Sequence, residues 1–321
     1  MSFIISGGAG FIGTNFIKNI ISNGKKIFVL DNFSINNEHF LIPYKNDNLE
    51  IINCNLSNPE DTNSAIKKIT ELSNSEISIW HFAANSNIPS GISNPKIDLN
   101  NTFMTTFNLL ESCKKYKIKN FNFASSSAIY GDHGKDSIKE STGPLIPISN
   151  YGAMKLASEA QCFASSESFL ENLRIFRFPN VVGSPATHGV IFDFINKLKK
   201  DPNNLMVLGD GNQSKDYLHV DDLIDGMLFL SKYKLQHNES PIFNLGQNGK
   251  PVKVSWIAQK TVEFISPEAK ITFENNKVGW LGDIPTFSYD TQKAKEAGWE
   301  AKMNSEKAIE KAIKEIYYQL N

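Results

Sequence analysis

The sequence predicts an α/β fold, a doubly wound parallel sheet with helices on both faces and a smaller C-terminal α/β lid. Three observations predict it. Short apolar, β-branched runs alternate with helical apolar patterns through the first half of the 321 residues. The first of these runs breaks into Gly7, Gly8, Gly10 and Gly13 immediately before a helical pattern. After Asn180 the rhythm loosens into turn clusters at Gly183-Ser184-Pro185, Asp201-Pro202-Asn203-Asn204 and Gly209-Asp210-Gly211-Asn212.

Taken in order, Phe3-Ile4-Ile5 has strand length, and Phe11, Ile12, Phe16, Ile17, Ile20 and Ile21 recur at helical spacing. Lys26-Ile27-Phe28-Val29-Leu30 reads as a second strand ending in Asp31. Strands follow at 49–53, 77–82, 120–124 and 173–178, and helices at 59–72, 95–116 and 151–170. The long 95–116 pattern places Leu99, Phe103, Phe107, Leu110 and Cys113 on one side. Repeated βα units of this length collect ligands at the carboxyl ends of the strands. The expected division is a dinucleotide-binding domain at 1–180, rejoined by part of 215–245, and a substrate-binding domain at 181–321. The second half carries helices near 190–200, 220–232, 253–265 and 304–318 and a short strand at 205–208.

Composition excludes several classes. Net charge is −1 with no long run of like charges, so there is no electrostatic footprint for nucleic acid. No apolar run reaches the length of a membrane span, and the chain enters a strand at once, with no leader expected. Cys54, Cys113 and Cys162 are odd in number and lack metal-ligand spacing. They read as reduced core thiols of a cytoplasmic protein. The six His are scattered, and no metal site is expected.

The glycine turn, spaced Gly-x-x-Gly-x-x-Gly, is where the chemistry begins. Between a strand and a helix, Gly7 allows a sharp turn, Gly10 leaves the backbone open to a pyrophosphate, and Gly13 lets the helix sit close to the strand. Phe11 and Ile12 then supply free N–H groups at the helix start. A tight turn without a ligand is the plain alternative. Asp31, about 20 residues past the glycines, is placed to accept hydrogen bonds from an adenosine ribose and to repel a 2′-phosphate. That favours NAD over NADP; as a plain alternative, Asp31 is a turn residue before Asn32.

Two further clusters fall at the sheet's expected carboxyl edge. One is Ser125-Ser126-Ser127 after a strand; the other is Tyr151-Gly152-Ala153-Met154-Lys155 at a helix start. Tyr and Lys at i and i+4 share a helix face, and a nearby ammonium lowers a phenol's pKa. Such a tyrosine can take a hydroxyl proton while a hydride leaves the same carbon, with a serine orienting the oxygen. The pattern recurs at Tyr289 and Lys293, away from any glycine loop, where it reads as a solvated surface pair.

With these clusters in order, the chain resembles the extended short-chain dehydrogenase/reductase family, and within it the NAD-dependent nucleotide-sugar epimerases and dehydratases. The resemblance rests on Gly-Gly-Ala-Gly-Phe-Ile-Gly, Asp31-Asn32, His81-Phe82-Ala83-Ala84, Ser126, Tyr151 and Lys155. It continues through Arg177-Phe178-Pro179-Asn180, Gly209-Asp210-Gly211 and 216–222. It implies a Rossmann-type fold, NAD as cofactor, and Ser126, Tyr151 and Lys155 as catalytic residues, Lys155 also binding the nicotinamide ribose. It places Asn32, Asn55, Leu56, Phe82, Ala83, Ala84, Asn101 and Phe178 beside the cofactor, and Asn85, Ser126, Ser127 and Asn180 at the substrate. It implies a homodimer or higher homo-oligomer, pairing the helices at 95–116 and 151–170.

Two departures concern the diphosphate. Lys215 and Trp280-Leu281 stand where the family commonly has Arg residues. Lys215, Thr187, His188 and Lys197 are the alternative candidates, and Trp280 is either a stacking platform or a core aromatic. His188 reads as a turn residue rather than a ligand. Ser127 and Ala128 stand where the family's dehydratases carry Asp and Glu, which disfavours 4,6-dehydration. The expected reaction is 4-epimerisation of a nucleotide sugar. Net 4-dehydrogenation is the alternative, and a non-catalytic NAD-binding role or an NADP reductase stands further off.

Overall fold

In the computed structural model, β1 (Ser2–Ser6), α1 (Phe11–Ile20), β2 (Ile27–Asp31), β3 (Leu49–Asn53), α2 (Pro59–Leu72) and β4 (Ile77–His81) open the chain. Next come α3 (Ile88–Ser93), α4 (Pro95–Asp98), α5 (Thr105–Lys115), β5 (Asn120–Ala124), α6 (Asn150–Ser166) and β6 (Asn172–Arg177). Then come β7 (Asn180–Val182), α7 (Val190–Lys200), β8 (Asn204–Val207), β9 (Ser214–Lys215), β10 (Tyr217–His219) and α8 (Val220–Leu230). The last are β11 (Ile242–Asn244), β12 (Val252–Lys253), α9 (Val254–Ile265), β13 (Lys270–Phe273), α10 (Gln292–Glu296) and α11 (Ser305–Leu320). The structure describes residues 1–35, 38–134, 136–247, 249–274, 284, 286 and 288–321. The chain divides into two units: Met1–Ile129, Leu145–Arg177 and Lys234–Phe243 in the first, and Tyr130–Pro144, Phe178–Tyr233 and Asn244–Asn321 in the second.

The first unit is built on a seven-stranded sheet in the order β11-β6-β5-β4-β1-β2-β3. Strands β1 to β6 pair in parallel, with Ser6 opposite both Leu30 and His81 and Ala124 opposite Phe176. In-register parallel pairing brings the carboxyl ends of β1, β2, β4, β5 and β6 to one edge. The strand order reverses direction at β1, the position where open α/β sheets bind ligands. Side chains alternate across the sheet. Ile4, Phe28, Leu30, Ile79, Phe121 and Phe123 pack with Ile66 and Ile69 of α2 and Leu109, Leu110 and Cys113 of α5. On the other face, the Trp80 ring lies 4.3 Å from that of Phe16 and stacks at 6.2 Å on Phe176. Burial of both faces explains why these strands read as continuous apolar runs.

The expected single stripe along 95–116 is corrected by the structure. A π-helical turn over Leu99–Met104 joins α4 to α5. One extra residue in a turn rotates the remainder of the helix by roughly 100°. Thr102, Thr105, Thr106 and Leu109 therefore face inward, while Leu99 is exposed and Phe103 and Phe107 are half-buried. The α6 helix also stops short of the expected 170. The Ser165 carbonyl accepts from the N–H groups of Ser168, Phe169 and Leu170 at 3.2, 2.9 and 3.0 Å, which closes the helix end.

The second unit is organised around α7, α9 and α11, whose Ile191, Phe194, Ile195, Ile257, Ala258, Ile309 and Ile313 share a core with Leu205 and Val207 of β8. Its strands form pairs: β7 with β10 and β8 with β13 in parallel, and β9 with β12 antiparallel. The buried His219 meets Glu315 at 3.1 Å and Asp221 at 3.4 Å, and the Lys311 ammonium bonds Asp221 at 2.5 Å. A cation is thus already supplied to those carboxylates by the chain itself. Among the described residues, no helix is long and apolar enough to cross a membrane.

The Phe121 side chain is fully buried at the centre of the first unit's core. Phe121→Ala is expected to destabilise that unit by about 3–5 kcal/mol, read as a fall in the urea midpoint of far-UV circular dichroism.

Candidate active site

At the glycine turn, α1 has Gly10 as N-cap, and no side chain caps it. The first backbone bond within the helix runs from Thr14 N–H to Gly10 O at 2.9 Å, so the N–H groups of Phe11, Ile12 and Gly13 precede the helical ladder. A Cβ on Gly13 would lie 2.3 Å from Gly7 O and 2.6 Å from Gly8 Cα. Only glycine permits that approach of helix to turn. A side-chain-free cap with forward-pointing N–H groups fits a dinucleotide's pyrophosphate.

At the end of β2, Asp31 closes the same turn. Its Oδ2 accepts from Ala9 N–H and its Oδ1 from Phe33 N–H, both at 2.9 Å. Burial raises the Asp31 carboxyl above its ordinary value, and these backbone donors pull it back. The carboxylate is half-buried, with lone pairs left for a ribose. Asn32 is exposed and accepts from Ser34 N–H at 3.1 Å. Asn55 is exposed as well, its Oδ1 taken by Ser57 N–H and Oγ at 3.1 and 2.8 Å. Leu56 is buried, and Phe82, Ala83 and Ala84 are half-buried just past β4.

Asn101 is exposed, and the π turn directs Thr102 inward in its place. The Thr102 Oγ1 accepts from Asn85 N–H at 3.1 Å. Asn85 is buried, its amide donating to Asp98 Oδ1 at 2.8 Å.

Ser126 lies two residues beyond β5, and Tyr151 sits in the first turn of α6. Ser149 caps that helix through Gly152 N–H at 3.1 Å, and Asn150 ties it to Gly91 O at 2.8 Å. A Cβ on Gly152 would lie 2.3 Å from Ala128 O, so glycine lets the helix start approach the Ser127–Ile129 turn. There the Ser126 hydroxyl, which accepts from Ala128 N–H at 3.2 Å, acts on the Tyr151 phenol to lower its pKa. One helical turn on, the Lys155 Nζ donates to Ala124 O at 2.6 Å and lies 5.9 Å from the Tyr151 ring centre.

The expectation that Lys155 brings the Tyr151 phenol down is not met in the free chain. Burial pushes that phenol up to about 12, against the Ser126 hydroxyl, and the charge of Asp98 adds to the rise. Burial also pushes Lys155 down to about 7. The reason is physical: enclosure favours the neutral form of both groups. The Tyr151 ring as a whole is only half-buried, and it is the surroundings of its hydroxyl that enclose it.

Around this centre Glu159 and Asp98 lie outside the sequence motifs, whereas Ser125, His81 and Arg177 lie within them. Glu159, on the Lys155 face of α6, accepts from Ser125 Oγ and binds Arg177 through Nε at 2.9 Å and Nη2 at 2.6 Å. His81 meets Ser6 Oγ at 2.5 Å and Thr106 Oγ1 at 2.9 Å, and burial holds its pKa well below the usual value. Asp98 is fully buried, and its Oδ2 has no hydrogen-bond partner among the described residues. On α6, Lys155, Glu159 and Cys162 stand at the i, i+4, i+7 spacing of one helix face.

In the second unit, Phe178 is buried, and Asn180 is exposed at the start of β7. Thr187 Oγ1 and the exposed His188 Nδ1 share a hydrogen bond of 3.1 Å. The Lys197 ammonium is spent on Met206 O at 3.1 Å, and Lys215 is half-buried in β9. Gln213 is 4% exposed, and neither amide atom has a hydrogen-bond partner among the described residues. Trp280 lies outside the described residues. The Tyr289–Lys293 pattern is no surface pair: Tyr289 is buried, its N–H donating to Asp216 Oδ2 at 2.9 Å, and α10 begins only at Gln292.

Comparison with known proteins decides the family, because the profile of the NAD dependent epimerase/dehydratase family matches residues 3–246. The chain belongs to that family. NAD is its cofactor, and the glycine cradle and Asp31 fit it. The chain is 28% identical over 315 residues to a putative UDP-glucose 4-epimerase of Methanocaldococcus jannaschii, covering 97% of this chain and 96% of the relative. A crystal structure of UDP-galactose 4-epimerase superposes with a TM-score of 0.84 at 30% identity, covering 100% of both chains. The Thermotoga maritima UDP-glucose 4-epimerase with UDP-glucose superposes with a TM-score of 0.85 at 26% identity, again covering 100% of both. These place the chain among nucleotide-sugar 4-epimerase relatives.

Gly13→Ala forces backbone apart at the cradle. It is expected to weaken NAD binding roughly tenfold or more in calorimetric titration and to lower the melting temperature by about 2–4 °C or more.

Proposed function

We propose that the protein is a 4-epimerase of a UDP-linked sugar and that Ser126, Tyr151 and Lys155 are its catalytic residues. The observation that carries this reading is Tyr151 in the first turn of α6, one helical turn from a buried Lys155 that bonds the Ala124 carbonyl, at the sheet's carboxyl edge beside Ser126. The UDP assignment is supported by the UDP-sugars for which the similar proteins are named.

NAD bound at the glycine cradle supplies a hydride acceptor and afterwards a hydride donor. The chain's own groups handle the proton. The Ser126 hydroxyl orients the C4 oxygen of the sugar, and the Tyr151 phenolate takes the C4 hydroxyl proton. The Ser126 hydroxyl favours that phenolate against burial. Once the ketone has presented its other face, Tyr151 returns the proton to the C4 oxygen. Ser127 and Ala128 put no carboxyl group beside the pair, so this turn offers no acid to expel a neighbouring hydroxyl.

Incubating the NAD-loaded protein with UDP-glucose, UDP-galactose, UDP-glucuronate and UDP-N-acetylglucosamine tests the reading. NMR should show a C4-inverted product without lasting absorbance of reduced nicotinamide. A 4-keto product with accumulating NADH would assign net dehydrogenation instead. Tyr151→Phe is expected to lower kcat by about 10²–10⁴ while leaving the melting temperature and NAD affinity near those of the parent; near-normal turnover would overturn the mechanism.

The outward face left by the π turn, with Leu99 exposed and Phe103 and Phe107 half-buried, is where we place a homodimer contact. Light scattering at micromolar concentration should give twice the chain mass, and a monomer there would remove the assignment.

A further inference from the structure

We propose that Glu159, locked by Arg177, is a positioning residue for the reaction: it fixes the end of β5 that leads into Ser126 and holds a negative charge beside the Lys155 ammonium. The inference rests on the reading of Ser126, Tyr151 and Lys155 given above.

The geometry is a clamp. Lys155 and Glu159 lie one turn apart on α6 and bond consecutive residues at the end of β5, Lys155 to the Ala124 carbonyl and Glu159 to the Ser125 hydroxyl. Arg177, at the end of the neighbouring strand β6, binds both carboxylate oxygens of Glu159. All five residues are buried, from 1% exposure at Ser125 to 4% at Ala124. Ser126 is the next residue along, so the clamp sets where its hydroxyl stands relative to Tyr151. A forked Arg–carboxylate pair has one geometry, whereas a single hydrogen bond leaves rotational freedom.

Charge acts on the same lysine. Lys155 is faced by Tyr151, Glu159 and Cys162 from its own helix and by His81 from β4. Burial lowers the ammonium's pKa, and Cys162 and Glu159 oppose it. The Cys162 thiol is itself raised well above its ordinary value by burial and stays neutral, as does the buried His81. Glu159 is then the anion that keeps Lys155 charged. Removing its charge takes away an anion one helical turn from the ammonium, so the sign of the effect is fixed: the ammonium is lost at lower pH. A purely structural ion pair would move stability and leave the pH profile in place.

Glu159→Gln keeps the shape and the hydrogen-bonding oxygen and removes the charge. In the NAD-loaded protein, with the sugar nucleotide that the parent turns over, the alkaline limb of the kcat profile is expected to move down by about one pH unit or more. At pH 8 kcat should fall roughly tenfold with KM near the parent value. NAD affinity, followed by quenching of tryptophan fluorescence, should change little, and Glu159→Asp should restore the limb. If Glu159→Gln does not fold, Ser125→Ala cuts the clamp without leaving a charge unpaired, and its kcat should fall with KM and NAD affinity unchanged. An alkaline limb overlaying the parent's in a folded Glu159→Gln overturns the proposal; where that variant does not fold, a parent-like kcat in Ser125→Ala does. Tyr151→Phe in the same assay separates the two levels. If it is active, the catalytic reading itself fails; if it is inactive while Glu159→Gln is parent-like, the clamp alone fails.

Discussion

A lysine ammonium buried at the end of a parallel strand is the constraint to which the first unit answers. Taking a charge from water costs several kcal/mol unless the protein replaces its hydration. Around Lys155 the replacement is specific: the Ala124 carbonyl accepts a hydrogen bond from it, the Phe123 ring lies 4.8 Å from its nitrogen, and Glu159 stands one turn away. Each requirement recruits another. A buried Glu159 needs a partner, which Arg177 supplies, and the Arg177 fork needs β6 in register with β5. The carbonyl must point out of the sheet's edge, so β5 has to end at Ala124. Helix α6 must come close enough for its first turn to reach past the strand, which explains glycine at 152.

The cofactor end of the sheet obeys a separate constraint, that of bare backbone. The start of α1 is bare of side-chain caps and held to the Gly7–Gly8 turn by a contact too short for any Cβ at Gly13. Asp31 contributes from β2 by satisfying backbone donors on both sides of itself. One half of the site thus depends on the absence of side chains, and the other on a crowded set of charged ones. The two meet because β1, β4 and β5 are neighbours in the sheet. His81 marks the join: neutral and fully buried, it bridges Ser6 of β1 to Thr106 of α5.

The π turn between α4 and α5 shows how a single extra residue redistributes function. It exposes Asn101, which the sequence resemblance had placed beside the cofactor, and turns Thr102 toward Asn85. It also breaks the apolar stripe, leaving Leu99, Phe103 and Phe107 toward the surface while threonines take the inward positions. The inward positions then carry hydroxyls, and these bond back to carbonyls of the same helix: Thr106 Oγ1 reaches Thr102 O at 3.0 Å.

By itself the sequence determined the parallel α/β fold, the NAD family and the order of the glycine turn, Asp31, Ser126, Tyr151 and Lys155. These are local signals: apolar periodicity, glycine spacing and an i, i+4 pair are set by chain geometry and can be read without knowing what packs against them. It also separated Tyr151 from Tyr289 by context, although it took the second for a surface residue when tertiary packing buries it. What only the tertiary structure decided is which groups answer the buried charges. Glu159, Arg177 and Ser125 are 18, 34 or 52 residues apart in sequence, and no motif joins them. The register of the helix after Asp98 was equally hidden, because a π turn keeps helical spacing on either side of itself. Burial sets the pKa values of Tyr151 and Lys155, and burial is a property of everything packed around a residue rather than of its neighbours in the chain.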